Sequence, residues 1–276
     1  MRYHINYGSA ATDCGKASSP SPSLHGRHQG KQTMTETSQK LPILFLDFDG
    51  TISKRDVTDM ILEQYADARW QSSEIEWRAG RIGSRACLSE QMSLVRATRK
   101  ELDTLLDSIE LDEGFDVLLQ TCAMHQISAG IISDGFDYCI KRILARTNTA
   151  FTRRGCGMRI CASELEQKGE REWQVGFPFF HQGCAHGCAT CKPAVMSLLN
   201  SANAPAIFVG DGLSDRYAAA SADMVFAKSS LAEYCREQQI NYIPFESLSD
   251  VAARLEAALL SGTEFTTLEP IERVGA

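Results

Sequence analysis

Residues 41–52 of the chain read LPILFLDFDGTI, and this stretch decides the fold. An apolar run from Ile43 to Leu46 ends in the polar sequence DFDGT at residues 47–51. A short apolar run followed by a glycine turn is typical of a strand that is buried on both faces of a parallel sheet. Open α/β sheets bind ligands beyond the carboxyl ends of their strands, so Asp47 and Asp49 lie where a ligand site is expected.

The spacing of Asp47 and Asp49 suggests what such a site could do. Residues two apart in extended chain point to the same side, so both carboxylates can share one cleft. They repel each other unless a cation neutralises them or one keeps a proton, and Mg²⁺ prefers oxygen ligands of this kind. One carboxylate could then attack a substrate while the other moves a proton. An Asp-rich turn that caps a helix is the competing interpretation, and a short motif alone would favour it.

Length and charge limit the function classes. The 276 residues suit one large domain or a domain with a smaller insert. A formal net charge of −7 argues against nucleic acid as a partner. No apolar stretch is long enough for a membrane span, and residues 1–40 contain no apolar core of a secretory signal. We therefore expect a cytoplasmic protein with a small-molecule partner and no nucleic acid or membrane partner, and a homodimer is an open alternative.

The chain divides by composition into four parts. Residues 1–40 are rich in Ser, Gly, Thr and Gln, which predicts a disordered N-terminal extension, with Met34 as an alternative start. In residues 54–110 apolar side chains recur at the spacing of a helix, which predicts a helical cap. Residues 41–53 and 111–262 make an α/β core, and 263–276 form a tail. We predict a Rossmann-like, doubly wound parallel sheet whose helical cap is inserted after the first strand and overhangs its carboxyl end.

Two later strands also end in polar residues. The apolar run 127–132 is followed by Ser133, whose hydroxyl could bind a phosphate oxygen beside helix amides, or could cap the following helix, or both. The run 206–209 is followed by GDGLSD at residues 210–215, where carboxylates again stand beside glycines that permit a tight turn. Residues 146–180, between these strands, are predicted to be irregular.

A lysine completes the set. Lys192 precedes Pro193, which suits the first turn of a helix running to about residue 200, and its ammonium could face an anionic site or solvent. Each of these signals is weak alone. Taken in order they supply a nucleophile, a proton shuttle, metal ligands, a phosphate-binding hydroxyl and a positive charge, which is the inventory of phosphoryl transfer.

With these motifs the chain resembles the haloacid dehalogenase-like phosphatase superfamily. The four motifs are DFDGT at 47–51, Ser133, Lys192 and GDGLSD at 210–215, and they occur in the family's order. The cap position and SDGF at 133–136 are similar to the phosphoserine phosphatase-like branch. The run CAHGCATCKP at 184–193 is also similar to the methionine-salvage 2-hydroxy-3-keto-5-methylthiopentenyl-1-phosphate phosphatases. Asp134 departs from the family pattern, where Gly is more usual.

The resemblance implies a mechanism and a set of site residues. It implies that Asp47 is the nucleophile that forms an aspartyl-phosphate, and that Asp49 is the general acid and base, with Mg²⁺ as the cofactor. It also implies a small phosphorylated metabolite as substrate and places Asp56 at the substrate-facing entrance of the cap. The implied metal ligands are Asp47, Asp49 through its backbone carbonyl, Asp211 and Asp215; the implied phosphate-binding residues are Gly50, Thr51, Ser133, Asp134 and Lys192.

The cysteine cluster has a separate interpretation. Cys184, Cys188 and Cys191, with His181 or His186, offer the ligands of a tetrahedral structural zinc site next to Lys192. The spacing is not that of paired C-x2-C motifs, so free or redox-active thiols are the favoured alternative.

Two other functions remain open from the sequence. Within the enzyme class, a phosphoserine or amino-alcohol phosphate could be the substrate. From another class, the chain could be a non-catalytic metal- or redox-responsive binding protein. A missing nucleophile or metal ligand would indicate such a protein, but every expected carboxylate is present.

Overall fold

The computed structural model of the protein describes residues 40–146 and 158–261. The predicted N-terminal extension, residue 40 apart, and the predicted tail at 263–276 lie outside the described residues. Among the residues described, no helix combines the length and the apolar character that a membrane crossing requires.

A seven-stranded sheet in the order β4-β3-β2-β1-β5-β6-β7 forms the centre of the fold. β1 lies in the middle and pairs in parallel with β2 and β5, and β3 and β4 alone pair in antiparallel fashion. This arrangement confirms the predicted Rossmann-like α/β fold. The strands are β1 (Ile43–Leu46), β2 (Ser128–Phe136), β3 (Arg159–Gln167), β4 (Trp173–Gly176), β5 (Ala206–Gly210), β6 (Met224–Ala227) and β7 (Ile243–Pro244).

The apolar run of β1 forms a central strand because both of its faces are covered. Leu44 and Leu46 pack into the apolar cluster on one side of the sheet, and Phe45 packs into the cluster on the other. All three side chains are fully buried. The alternation follows from the two-residue period of a strand, so a continuous apolar run fits only a strand between two helical layers.

Helices supply those two layers. The Leu46 side is covered by α5 (Phe115–Met124), α6 (Asp137–Ala145) and α10 (Leu248–Ser261). The Phe45 side is covered by α7 (Lys192–Leu199), the short α8 (Arg216–Ala219) and α9 (Ser229–Glu237). The carboxyl ends of β1, β2 and β5 therefore meet at one edge of the sheet, which is where the candidate site lies.

Four helices lie between β1 and α5, in the region predicted to be the cap. They are α1 (Val57–Tyr65), α2 (Trp70–Arg78), α3 (Ser84–Ser93) and α4 (Arg99–Leu106). The chain leaves and re-enters the core at adjacent points, where Ser53 and Leu111 form an antiparallel bridge. The α4 helix begins with a capping box, in which Thr98 and Glu101 bond each other's backbone amides.

The prediction that residues 146–180 are irregular is wrong for Arg159–Gln167 and Trp173–Gly176, which are strands, whereas residues 168–172 and 177–180 are turns and irregular chain. β3 and β4 form an antiparallel pair there, and β3 also pairs with β2. Cys161, Ala162 and Leu165 are buried along β3. The glycines at 169 and 176 suggested irregular chain, but the partner strand β2 supplies hydrogen bonds that local sequence does not reveal.

β2 is also longer than its predicted span of 127–132. It continues to Phe136, and its register against β3 shifts between Ile132 and Phe136. Ser133 therefore lies within the irregular end of the strand, one turn before α6. The residue that caps α6 is Phe136, with no side-chain hydrogen bond, so the N-cap alternative for Ser133 does not hold.

Candidate active site

The strand ends bring three carboxylates together. Asp47 follows β1, Asp211 follows β5, and Asp215 ends a 3₁₀ turn at Leu213–Asp215. One oxygen from each lies within 4.8 Å of the others. Asp47 and Asp215 are buried, and Asp211 is partly exposed to the cleft. The parallel strands β1 and β5 are adjacent in the sheet, and this adjacency puts residues from distant parts of the chain at one point.

Lys192 joins two of these carboxylates. It is the first residue of α7, it is 1% exposed, and its Nζ lies 2.9 Å from Asp47 Oδ1 and also pairs with Asp215. Burial works to lower the pKa of Lys192, but the carboxylates of Asp215 and Asp47 outweigh it and raise that pKa. Lys192 is therefore a fixed positive charge in the site.

Asp215 has protein partners on both oxygens. Its Oδ1 pairs with Lys192, and its Oδ2 accepts from the backbone amides of Asp211 at 3.1 Å and Gly212 at 3.0 Å. These bonds hold the 210–215 turn in place and orient Lys192. Support of this kind fits the geometry at Asp215 better than direct ligation does.

The acidic site fits a hard divalent cation. Burial, followed by repulsion from Asp215, raises the pKa of Asp47, and the same two causes raise the pKa of Asp211 to about 6. Asp47 Oδ1 is buried and has no hydrogen bond of good geometry, although Lys192 is close. A cation with oxygen ligands would offset this repulsion and satisfy the open lone pairs. Asp47 and Asp211 are the side chains best placed to hold it, with the backbone carbonyl of Asp49 as a predicted ligand.

Asp49 and Ser133 face each other across Gly135. Val57 donates its backbone N–H to Asp49 Oδ1 at 3.0 Å, and Gly135 donates its N–H to Ser133 Oγ at 3.0 Å. A Cβ on Gly135 would lie 3.4 Å from Asp49 Cγ and 3.1 Å from Ser133 Oγ, and closer still to an oxygen of Asp49. Burial, then the charges of Asp56 and Asp47, raise the pKa of Asp49, which suits a proton donor.

Gly50 and Thr51 position Asp211. Gly50 has a φ of +73°, and a Cβ there would lie 2.8 Å from Asp211 Cγ. Thr51 donates its hydroxyl to Asp211 Oδ1 at 2.8 Å and its amide to Phe48 O at 3.2 Å. Both polar groups of Thr51 thus have protein partners, and its phosphate-binding role stays a prediction.

Asp56 and Asp134 both border the cleft, yet each has a partner in the protein. Asp56 caps α1, where its Oδ1 accepts from the amide of Asp59 at 2.9 Å. Asp134 accepts from the amide of Thr190 at 2.9 Å, and the Ser84 side chain lies beside the same carboxyl group. One oxygen of each therefore serves the fold, and substrate contact by either remains a prediction.

The cap forms the opposite wall of the cleft, and the sequence did not identify most of its residues. Glu74 on α2 pairs with Arg78 at 2.7 Å and accepts from Gln91 Nε2 of α3 at 3.1 Å. Trp77 and Cys87 line the same wall. The i,i+4 spacing of Glu74 and Arg78 is a usable signal, but the same spacing is common in ordinary surface pairs on helices.

The cysteine loop lies beside this site. The thiol of Cys184 lies close to those of Cys188 and Cys191. Burial works to raise the pKa of Cys184, but bonds from the amides of Cys188 and His186 outweigh it and lower that pKa. His186 stacks on Tyr217 at 3.8 Å between ring centroids. Among the described residues, Asp47, Asp211 and Asp215 are the ones whose possible metal-ligating atoms all lie within 4.8 Å of one another. The cysteines and His181 do not form such a group in the described part of the chain, so zinc there stays a prediction.

Comparison with known proteins gives both relatives and structural neighbours. No known family profile matches the chain. A 2-hydroxy-3-keto-5-methylthiopentenyl-1-phosphate phosphatase of Geobacillus thermodenitrificans is 28% identical over 221 residues, covering 79% of this chain and 97% of that protein. A second protein of that name, from Bacillus pumilus, is 27% identical over 219 residues, covering 79% of this chain and 92% of that protein.

The solved structures show the fold. A phosphoserine phosphatase with a phospho-aspartyl intermediate analogue has a TM-score of 0.57 at 16% identity, covering 81% of this chain and 99% of that one. A HAD family hydrolase from Salmonella enterica serovar Typhi has a TM-score of 0.59 at 17% identity, covering 77% of this chain and 70% of that one. The resemblance drawn from the motifs is confirmed: the chain has the haloacid dehalogenase-like fold of these structures, and its sequence is similar to those of proteins named as phosphatases.

Proposed function

We propose that the protein is a Mg²⁺-dependent phosphomonoesterase that forms an aspartyl-phosphate on Asp47. The observation that carries this proposal is the gathering of Asp47, Asp211 and Asp215 around the buried Lys192 at the ends of β1 and β5. A nucleophile, a cation site and a fixed positive charge then converge on one point of the cleft, as phosphoryl transfer requires.

In the first step a carboxylate oxygen of Asp47 attacks phosphorus, and the bond between phosphorus and the leaving alkoxide breaks. Asp49 gives its proton to that alkoxide, so the alcohol leaves neutral. The Ser133 hydroxyl and the Lys192 ammonium stabilise the charge on the phosphoryl oxygens. The short distance between Lys192 and Asp47 suits this role, because one ammonium can serve both the nucleophile and the transferred group.

In the second step Asp49, now ionised, takes a proton from a water molecule that attacks the same phosphorus atom. The bond between phosphorus and Asp47 breaks, inorganic phosphate leaves, and both carboxylates return to their starting states. When bound at Asp47 and Asp211, Mg²⁺ would supply positive charge against the repulsion between the acids and the phosphate dianion. The tight packing of Gly135 against Asp49 keeps the acid close to Ser133 in both steps.

For the substrate we propose a small phosphorylated metabolite, with the methionine-salvage ester 2-hydroxy-3-keto-5-methylthiopentenyl-1-phosphate as the first candidate. The names of the sequence relatives support it. An amino-alcohol phosphate or phosphoserine is the second candidate. The cap wall favours this second candidate, because Asp56, Asp59 and Glu74 can supply negative charge to an amino group. Among the described residues that line the cleft, Arg78 is the one with a cationic side chain.

Phosphate release from a panel of metabolite esters, with and without Mg²⁺, tests the proposal. The panel includes the methionine-salvage ester, phosphoserine and an amino-alcohol phosphate. We expect Mg²⁺-dependent turnover, and the ester with the highest kcat/KM identifies the substrate class.

Asp47→Asn is the matched control, since it keeps the shape of the side chain and removes the nucleophile. We expect kcat to fall by roughly 10⁴-fold or more. Turnover that survives this substitution would contradict a covalent intermediate on Asp47. Absence of turnover on every ester, in folded protein loaded with Mg²⁺, would favour the non-catalytic binding protein.

A further inference from the structure

The residue that departs from the family pattern, Asp134, connects three parts of the site. It lies at the end of β2, between Ser133 and Gly135. Its Oδ1 accepts the backbone N–H of Thr190 at 2.9 Å, and the Ser84 side chain lies beside the same carboxyl group. Its carbonyl accepts the hydroxyl of Ser163 at 2.9 Å, which ties it to β3. A glycine at this position would have none of the side-chain bonds.

Ser84 carries the connection into the cap. It is the first residue of α3, it is buried, and its Oγ accepts the backbone N–H of Ala189 at 2.9 Å. Next to it, the amide of Arg85 donates to Gly187 O at 3.1 Å. The hydroxyl of Ser84 thus bonds the loop that precedes α7, and it does so beside Asp134 of the core strand.

The backbones of cap and loop touch directly at this point. A Cβ on Gly83 would lie 2.6 Å from the carbonyl carbon of Gly187 and 2.5 Å from His186 O. Real side chains do not approach backbone so closely, so only glycine permits the contact. The start of α3 is therefore fitted to this loop.

The loop leads directly to Lys192. Thr190 and Cys191 separate the bonded amide of Ala189 from this lysine, whose Nζ holds Asp47 and Asp215. Any movement of the loop would move the ammonium relative to the nucleophile. Misplacement on the scale of an ångström is enough to slow a reaction that depends on orientation.

We propose that Asp134 is a positioning residue that latches the cap to the catalytic floor. By the floor we mean the buried charged residues Asp47, Lys192 and Asp215. The latch consists of Ser84, Asp134, Ala189 and Thr190. It holds the start of α3 and the segment that carries Lys192 in the arrangement seen here. A hydrogen bond to a carboxylate, such as that from the Thr190 amide to Asp134, is stronger than a bond between neutral groups, so this latch is firmer than a neutral side chain could make it.

Hydrogen exchange tests the latch without relying on any enzymatic activity. The amides of Ala189 and Thr190 are protected by latch bonds, and that of Arg85 by the adjacent contact. In Asp134→Ala we expect exchange in the peptides covering 84–93 and 181–191 to quicken by roughly tenfold or more. A peptide from β6 should be unchanged. Asp134→Asn keeps an oxygen acceptor and should restore most of the protection.

Asp116→Ala is the matched control, because Asp116 is an exposed carboxylate in the first turn of α5. It should leave exchange in both peptides as in the unchanged protein. If exchange in the latch peptides is also unchanged in Asp134→Ala, the proposal is wrong. Should Asp134→Ala fail to fold, the comparison of Asp134→Asn with the unchanged protein decides, since loss of the charge should still quicken exchange measurably.

Kinetics separate a latch from a substrate contact, and this part rests on the proposed function. We expect Asp134→Ala to lower kcat/KM by roughly 10- to 100-fold, and by the same factor for esters with different leaving groups. Losses from Ser84→Ala and Asp134→Ala should be less than multiplicative in the double variant, because both break one network. A loss confined to some esters, or multiplicative losses, would overturn the latch. If the unchanged protein hydrolyses no ester, the proposed function fails and the exchange experiment still decides the latch.

Discussion

The floor and the cap wall of the cleft are built differently. On the floor, Asp47, Lys192 and Asp215 are 4%, 1% and 0% exposed, and each is held by another charged group. On the wall, Glu74 has a side chain that is 17% exposed, and its partner Arg78 is 60% exposed. A buried charge network tolerates few changes, whereas a partly solvated pair can be replaced at small cost. The floor is therefore suited to fixed chemistry, and the wall to discrimination between substrates.

The strongest test of this division is the acid on the floor. Asp49→Asn should lower kcat/KM for alkyl phosphate esters by roughly 10²- to 10⁴-fold, because the alkoxide then leaves without a proton. For p-nitrophenyl phosphate, whose leaving group is stable as an anion, the first step needs no acid and the loss of kcat/KM should be much smaller. The comparison uses kcat/KM because this ratio reports the steps up to release of the leaving group, whereas kcat also contains the second step, in which loss of the base slows both esters alike.

A single variant protein compared on two esters serves as its own control, since folding and metal loading are the same for both. An equal loss of kcat/KM on the two esters would mean that Asp49 is not the acid of the first step and acts elsewhere, for instance by placing the backbone carbonyl that we expect to bind the cation.

The next largest expected effect is on the free energy of unfolding, and it tests the buried charges of the floor. Lys192→Met leaves Asp47 and Asp215 buried without their cation, and breaking a buried charge pair in this way costs about 3–5 kcal/mol. Urea unfolding of the metal-free protein should show this loss, and Mg²⁺ should reduce it because it offsets the same carboxylates.

Lys141→Met is the matched control. Lys141 pairs with Asp137 at the surface with a side chain that is 62% exposed, so its loss should cost about 0.5 kcal/mol or less. Equal losses in the two variants would show that Lys192 is not the centre of the charge network.

The third prediction concerns pH and the metal. Burial and Asp215 raise the pKa of Asp211 from its ordinary value of 3.8 to about 6. Between these two values the folded protein keeps a proton that the unfolded chain has lost. Stability of the metal-free protein should therefore fall as pH rises from about 4 to 6.

With saturating Mg²⁺ the carboxylate is favoured and this decline should shrink. Unfolding midpoints across that pH range, with Mg²⁺ and with a chelator, measure both curves. Parallel curves would argue against a cation at Asp211.

The floor was largely predictable from the sequence, and the reason is physical. Asp47, Ser133 and Asp211 each follow a short apolar run, and parallel strands end at one edge of their sheet. The runs could be recognised because β1 and β5 are buried on both faces. β3 has no such run: its buried stretch at 161–163 includes a serine and is followed by the exposed Glu164 and Glu166, so the strand depends on pairing with β2.

The wall and the latch were not predictable in the same way. Glu74 approaches the cleft only because α2 packs against α3, where Gln91 reaches it. The bond between Asp134 and Thr190 joins residues 56 apart in the chain, and nothing in either neighbourhood predicts it. Contacts between elements of this kind depend on how the cap sits on the core, and helical periodicity does not specify that arrangement.

The smallest expected effect is on the wall, and it separates the two substrate candidates. Glu74→Gln removes one negative charge beside Asp56 and Asp59 and leaves Arg78 as the cation there. If the wall recognises a cationic leaving group, kcat/KM for an amino-alcohol phosphate should fall by up to about tenfold relative to a neutral ester. Glu76→Gln on the same helix is the control, because Glu76 pairs with Arg81 at the surface and is 45% exposed. An unchanged ratio in Glu74→Gln would favour the neutral methionine-salvage ester, since a thioether gains nothing from the carboxylate.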